Sequence, residues 1–131
     1  EPDQNFVVVG LQGGPSCANV AGNWVATDHI TFRCGNSTEI EDETETLLVG
    51  QQGCGITTPY GPGSVTGNQL NISVQNLGSF RSMTLVSVDG TYNGAVVNPN
   101  RVELNGSGNA TTTNAGQSVA CTWSATGVWS R

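Results

Sequence analysis

The sequence predicts an all-β domain, an antiparallel up-and-down barrel or sandwich of about nine or ten strands. Apolar and polar residues alternate with a period of two in almost every segment that could be ordered, and this is typical of half-buried strands. Turn residues interrupt the chain at short intervals, and no segment shows a helical period over three turns. The residues alone leave open whether the sheet closes fully or splits into two layers.

The alternation is clearest in three segments. Each has a set of apolar side chains on one face and small polar side chains on the other, as a strand at the surface of a core requires. The same-face residues are Trp24, Ala26, Ile30, Phe32 and Cys34 in the first segment, Leu70, Ile72 and Val74 in the second, and Val119, Cys121, Trp123, Ala125 and Trp129 in the third.

Turn signals separate the predicted strands. Asp89-Gly90, between Val88 and Thr91, is the strongest hairpin signal, because a type I′ turn needs positive φ at both central residues. Other turns are expected at the following positions: Gly67-Asn68, Asn98-Pro99-Asn100, Gly106-Ser107-Gly108 and Asn114-Ala115-Gly116.

The chain before Cys17 follows a different pattern. Residues 1–15 read as an extended strand followed by a Gly13-Gly14-Pro15 hinge, and residues 16–131 read as a single β domain. The extended strand has apolar groups on both faces, so it needs cover on both sides. It is either the first strand of the domain's own sheet or a strand that pairs with another subunit. Its apolar residues are Phe6, Val7, Val8, Val9 and Leu11.

Composition excludes several functional classes. The 131 residues suffice for one core, with 36% apolar and 11% charged residues and a formal charge of −6. Because ten acidic residues outnumber the four basic ones, all of them Arg, phosphate backbones would be repelled and nucleic-acid binding is not expected. No apolar stretch reaches the length of a membrane span.

The start at Glu1-Pro2 and the four Cys predict a secreted, extracellular or cell-surface protein with two disulfides.

Strand geometry ranks the three possible cysteine pairings. A continuous strand over 24–34 is about 33 Å long at roughly 3.3 Å per residue, which separates Cys17 from Cys34. The next strand returns antiparallel, through an acidic loop, and brings Cys54 back to the Trp24 end. If the last strand pairs with the first, Cys34 faces Cys121. We therefore predict Cys17–Cys54 and Cys34–Cys121 bonds.

Residues at the start of the first long strand and after the last strand resemble the motif of a known family. Gly22-Asn23-Trp24 opens the first long strand and Arg131 follows the last, which resembles the G-x-W motif and closing Arg of the calycins, the lipocalin and avidin type of barrels. The resemblance implies an up-and-down barrel in which Arg131 packs across Trp24 and closes one end. It covers four positions, and neither a following helix nor a second lipocalin motif is present, so it supports the fold more than ligand transport.

Few residues are suited to catalysis, and we expect no enzyme activity. His29, the only histidine, falls among outward positions, and no Ser lies in a G-x-S-x-G motif. Asp28 falls on the inward face of its strand, where it could sit at a barrel mouth, bind a polar group of a ligand or mark a bulge. No cofactor and no metal site are expected. The densest acidic run lacks the spacing of a calcium loop and reads as a solvated loop, with a weak Ca²⁺ site as the alternative: Glu39, Glu41, Asp42, Glu43 and Glu45.

Four N-x-[ST] motifs are candidate glycosylation sites, with the first two preferred: Asn36, Asn71, Asn105 and Asn109. Asn36 is expected in a loop and Asn71 on an outward face. Trp123 and Trp129 are expected in the core. Tyr60, flanked by Pro59 and Gly61, is expected to be the better-exposed aromatic residue.

Two functions of different classes follow. In the first, the protein is a structural subunit of an extracellular filament or surface polymer, and residues 5–11 add as a strand to the next copy. Such a head-to-tail contact does not close on itself and so gives a fibre. In the second, the barrel holds a small apolar or amphipathic ligand.

Overall fold

The computed structural model describes residues 16–77 and 85–131, and within them the chain forms eight antiparallel strands. The all-β, disulfide-linked class is confirmed, whereas the expected nine or ten strands are not found in the described residues. Long strands of 13 to 16 residues replace a larger number of short ones. The strands are β1 Gly22–Cys34, β2 Ser37–Gln52, β3 Gly55–Thr58, β4 Gly61–Thr66, β5 Gln69–Ser73, β6 Leu85–Asn98, β7 Arg101–Asn114 and β8 Gln117–Ser130.

The sheet is a closed barrel in meander order. Each strand pairs with the next along the chain, and β8 returns to pair with β1 from Val25↔Ser130 to Cys34↔Cys121. This closure decides between the barrel and the sandwich that the sequence left open. Three of the predicted turns join strands as expected, namely those at Gly67-Asn68, Asn98-Pro99-Asn100 and Asn114-Ala115-Gly116.

The barrel interior is the core. The alternation of β1, β5 and β8 is confirmed, since their predicted inward side chains are buried, or half-buried at Cys34 and Val119, and the residues between them are mostly exposed. Trp24 and Trp129 are among the largest fully buried side chains, and their rings lie 6.0 Å apart at one end of the barrel. Burying two such rings is a large share of the hydrophobic stabilisation of a small domain.

The Asp89-Gly90 hairpin was a wrong prediction. Both residues lie inside β6, where Gly90 pairs with Gly108 of β7. Gly90 does have positive φ, at 137°, but the cause is a close approach of backbone and ring rather than a turn. A Cβ there would collide with the carbonyl oxygen of Ser107 and lie 2.8 Å from the Trp123 ring.

The turn predicted at Gly106-Ser107-Gly108 is also absent, because β7 is continuous through it. The glycines serve packing across the barrel instead. A Cβ on Gly106 would lie 2.6 Å from Cδ1 of Tyr92 and 3.0 Å from Cζ3 of Trp123. Glycine clusters that resemble turns therefore make room for aromatic rings.

The acidic segment is a strand, not the predicted solvated loop. It forms the first part of β2 and pairs residue by residue with β1, so that Glu43 faces Asp28 and Glu41 faces Ile30. Directly opposite residues of an antiparallel pair point to the same side of the sheet. Glu39, Glu41, Glu43 and Glu45 therefore follow the inward face of β2, beside the apolar face of β1.

The long strands continue past the short ones at one end of the barrel. Strand β2 pairs with β3 only at 50–52, and β6 pairs with β5 only at 91–95. At this end, which we call the open end, five strands remain in the order β6-β7-β8-β1-β2. The other end, where Trp24 and Arg131 lie, is the closed end.

Gly90→Ala is expected to destabilise the protein by about 3 kcal/mol or more, because the new methyl group meets backbone and the Trp123 ring at a positive φ. Gly35→Ala is the matched control. Gly35 also has positive φ, at 62°, yet a Cβ on this residue would have nothing within 4 Å. Its cost should be about 1–2 kcal/mol. Equal denaturant midpoints for the two variants would contradict the packing explanation.

Candidate functional site

Two disulfides fix the two ends of the barrel. Cys34 and Cys121 face each other across the β1–β8 seam at the open end, with their Cα atoms 4.2 Å apart. Cys17 is bonded to Cys54 in the turn between β2 and β3 at the closed end. Both pairs are those expected from strand geometry, and the structure has no free cysteine in its described residues.

Arg131 covers the closed end, as the calycin resemblance implied. Its guanidinium carbon lies 4.0 Å from the centroid of the Trp24 ring. The same group donates hydrogen bonds to the carbonyl oxygens of Pro99, Ala21 and Asn19 at 3.0, 2.6 and 3.3 Å. A cation over an indole face is favourable, and its N–H groups also satisfy loop carbonyls.

Gln51 also holds the segment that leads into β1, and sequence reasoning did not single it out. Its amide nitrogen donates to the carbonyl oxygens of Ala18 and Gly53, both at 3.0 Å. Its amide oxygen accepts from the backbone N–H of Val20 at 2.8 Å. The chain that follows Cys17 is therefore attached to the end of β2 by side-chain bonds as well as by the disulfide.

The most unusual site is a buried carboxylate inside the barrel. Asp28 is 3% exposed and continues the inward row of β1, so its strand has no bulge there. The Tyr60 hydroxyl donates a hydrogen bond of 2.9 Å to Oδ2 of Asp28 and lies 3.3 Å from Oε2 of Glu45. Gly127 of β8 makes room for the carboxylate, because a Cβ on this glycine would collide with Oδ1 of Asp28.

Tyr60 is therefore not the exposed aromatic residue that its Pro- and Gly-rich surroundings suggested. It lies in the turn between β3 and β4 but is only 5% exposed, since that turn folds its side chain into the barrel. Its ring lies 5.3 Å from that of Tyr92, which in turn lies 5.6 Å from that of Trp123. These three rings form one aromatic wall of the site.

Tyr92 was missed in the sequence, although its place between Gly90 and Gly94 indicates an inward side chain among small residues. It is 1% exposed, and its hydroxyl has no hydrogen-bond partner among the described residues. The Trp123 indole N–H, by contrast, donates to the carbonyl oxygen of Asp89 at 2.8 Å. A buried hydroxyl without a partner is uncommon in proteins.

The electrostatics of the cluster follow from burial and from charges of like sign. Burial raises the pKa of Asp28 from 3.8 to about 6, the hydrogen bond from Tyr60 opposes this rise, and Glu45 adds to it. Burial and the nearby carboxylates of Asp28 and Glu45 raise the pKa of both Tyr60 and Tyr92 well above 10. The tyrosines are thus neutral donors at any physiological pH.

The other predicted site residues lie on the outside of the barrel. The four candidate glycosylation asparagines are all exposed, and Asn36 occupies the turn between β1 and β2. Asn71 donates a hydrogen bond of 2.7 Å to the side-chain oxygen of Asn93. His29 points outward and lies 2.6 Å from Oδ1 of Asp42. In 16–77 and 85–131 no group of three or more His, Cys, Asp or Glu is placed to hold a metal ion.

The predicted subunit-contact residues Phe6, Val7, Val8, Val9 and Leu11 lie outside the described residues.

Comparison of the chain with protein-family models, curated proteins and solved structures finds no match. No helix that is long and apolar enough to cross a membrane occurs in the part of the chain that the structure describes.

Asp28→Asn tests the buried charge. Between about pH 4 and pH 6 the folded chain retains the Asp28 proton and the unfolded chain has lost it, so the free energy of unfolding falls as pH rises. The full effect of this one group is about 3 kcal/mol. We expect Asp28→Asn to remove this slope and to be more stable than the original chain at pH 7.5, as measured by denaturant unfolding from pH 4 to 7.5. An unchanged slope would show that Asp28 is not the titrating group.

The two tyrosines should respond in opposite directions to loss of the hydroxyl. Tyr60→Phe leaves a buried carboxylate without its donor and should cost about 2 kcal/mol at pH 7.5. Tyr92→Phe removes a hydroxyl that has no described partner, so the free energy of unfolding should stay the same or rise by about 1 kcal/mol. A large loss of stability in Tyr92→Phe would contradict this assignment.

Proposed function

We propose that the protein is a secreted, non-enzymatic structural subunit of an extracellular filament or surface assembly. In this proposal residues 5–11 of one copy add as a strand to β2 of the next copy. The observation that carries it is the run of apolar residues on both faces of the segment 5–11. Strand β2 is the proposed acceptor, because it pairs with β1 along 37–49 and with β3 only at 50–52.

Strand β2 is long enough for strand addition. The 13 residues 37–49 extend over about 43 Å and the seven residues 5–11 over about 23 Å, at roughly 3.3 Å per residue. In β-strand addition, the added strand forms backbone hydrogen bonds along the acceptor strand, and pockets for its alternate side chains give specificity.

Apolar side chains border the opening on both of its edges. Ile40 of β2 is 59% exposed and Val86 of β6 is 60% exposed. The segment around Phe6, Val8 and Leu11 carries apolar residues on both faces. In the proposed pairing, side chains on the outer face of the added segment contact Ile40. Those on the inner face of the segment point to the barrel interior.

Strand direction favours a second copy over the chain's own N-terminal segment. The described chain starts beside Cys54 at the closed end, so its own segment would lie parallel to β2 if it returned along that strand. A segment from another copy can pair antiparallel, which is the more stable arrangement per residue. Donor and acceptor then lie at opposite ends of the subunit, and the contact repeats head to tail.

The inward carboxylates of β2 limit this pairing. Glu39, Glu41, Glu43 and Glu45 lie along the edge, and inward-pointing charges are a known way to prevent unspecific pairing of edge strands. The N-terminal segment must therefore offset their repulsion with its apolar contacts and backbone hydrogen bonds. Assembly is expected to strengthen with ionic strength, which screens these charges.

The finer assignments belong to the same proposal. The two disulfides indicate an oxidising compartment. On this basis we propose that the protein is extracellular and that its exposed asparagines carry glycans. Kinship with the calycins is supported by the barrel order and by the contact of Arg131 with Trp24.

A second function, binding of a small amphipathic ligand inside the barrel, is favoured by the cluster around Asp28. A barrel that only needed a filled interior would not require a buried carboxylate and a buried hydroxyl without a described partner.

The donor segment is tested with full-length Val8→Asp. We expect regular fibres of the original chain in negative-stain electron microscopy at neutral pH, and single particles of the variant, because a buried charge opposes strand addition. Gln12→Asp adds the same charge beyond the apolar run and should still form fibres. Single particles of the original chain, or fibres of Val8→Asp, would overturn the proposal.

The acceptor edge is tested with Ile40→Asp and its control Val97→Asp. Both replace an exposed apolar residue, but Val97 lies near the closed end, away from the edge of β2. Only Ile40→Asp should lose fibres. In addition, a synthetic peptide of residues 4–12 should shorten the fibres of the original chain when added in excess, and a peptide with the Val8→Asp change should not. Fibres of Ile40→Asp as long as those of Val97→Asp would exclude β2 as the acceptor.

A further inference from the structure

We infer that the cluster around Asp28, Tyr60 and Tyr92 is a binding site for a small organic ammonium ion. The inference deepens the second proposed function, ligand binding inside the barrel, and does not depend on strand addition. It rests on the hydrogen-bond geometry of the buried groups, on the aromatic wall and on the unpartnered Tyr92 hydroxyl.

Within the described residues, one hydroxyl hydrogen is shared between two carboxylates. The Tyr60 hydroxyl carries one hydrogen, and it lies within 3.3 Å of carboxylate oxygens on both Asp28 and Glu45. It can donate fully to only one of them at a time. An ammonium group carries a positive charge and up to three N–H donors, which suits two carboxylates and a hydroxyl oxygen at once.

Tyr92 supplies the second, independent observation. Its hydroxyl is buried and has no described partner, and its pKa is raised by burial and by the charges of Asp28, Glu45 and Glu43. The hydroxyl oxygen can accept a hydrogen bond from a ligand N–H without changing its own protonation. A buried polar atom of this kind is expected where a ligand completes the bonding.

The aromatic residues select the chemical class. Tyr60, Tyr92 and Trp123 have successive ring centroids 5.3 and 5.6 Å apart, and ring faces attract organic cations. A bare divalent metal ion would need a set of carboxylate or imidazole ligands, and no such group of three occurs in the described residues. Carboxylates beside aromatic rings therefore favour an amine with an apolar chain.

The acidic face of β2 provides an approach to the site. Glu45 is exposed and Glu43 is half-buried, whereas Asp28 is buried, so carboxylates extend from solvent to the interior. Such a row raises the local concentration of cations. The groups that we propose for binding the ammonium group come from four parts of the chain: Asp28 on β1, Glu43 and Glu45 on β2, Tyr60 in the β3–β4 turn and Tyr92 on β6.

The test uses the full chain with ¹³C-labelled tyrosine, which reports on the site alone because Tyr60 and Tyr92 are the only two tyrosines. The probe is n-butylammonium at pH 7.5, and 1-butanol is the matched neutral compound. We expect saturable shifts of both tyrosine signals with a Kd on the order of 1 mM for the amine, and no saturation with the alcohol.

Variants separate the roles of the residues. Asp28→Asn should weaken amine binding by at least about a hundredfold, and Tyr92→Phe by about tenfold. Asp42→Asn removes one carboxylate from the outer face of β2 and should leave the Kd within about twofold. The affinity of the original chain should also fall between pH 7.5 and 5 as Asp28 becomes protonated.

Equal shifts with 1-butanol, no saturation with the amine, or unchanged affinity in Asp28→Asn would each overturn the inference. The Val8→Asp variant should bind the amine like the original chain. Loss of fibres with retained amine binding would thus support both proposals, and absence of amine binding in a chain that forms fibres would reject this one alone.

Discussion

The architecture depends on the pairing of the first strand with the last. The β1–β8 ladder joins residues about a hundred positions apart in the chain, and the closure of the ring removes what would otherwise be two further sheet edges. The disulfide between Cys34 and Cys121 fixes the seam at one end and the Arg131–Trp24 contact covers it at the other. Because both ends of the seam are held, the register of β1 is fixed. This register places Asp28 on the inward face of β1 and determines the face to which the carboxylates of β2 point.

Unequal strand lengths then give the barrel its two distinct ends. The strands β3, β4 and β5 have four to six residues, whereas those that continue past them have 13 to 16. The short strands complete the ring and bring Tyr60 into the interior, and the long ones continue beyond the pairing of β2 with β3. The proposed amine site and the proposed docking edge are both consequences of this difference in length.

Period-two alternation predicted the class, the inward residues of three strands and, through strand direction, both disulfides. It failed where one residue type serves two purposes. Gly90 and Gly106 resemble turn residues, yet they make room for Trp123, which lies in a strand that is distant in sequence. Five acidic residues resemble a loop because local propensity does not include the β1 strand that pairs with them. Tyr60 and Tyr92 come together only through the curvature of the barrel, which no local pattern encodes.

The bond between Cys17 and Cys54 has a mechanical consequence. A pulling force on the N-terminal segment enters the domain at Cys17 and crosses directly to the turn that ends β2. In a filament built by strand addition, β2 would also hold the segment of the preceding copy. Tension would then pass from copy to copy through the disulfide bond and through β2. The force would act along the direction of β2, in shear, so that many backbone hydrogen bonds would share the load. The aromatic interior would remain outside this path, so the fibre could bear tension without unfolding its subunits.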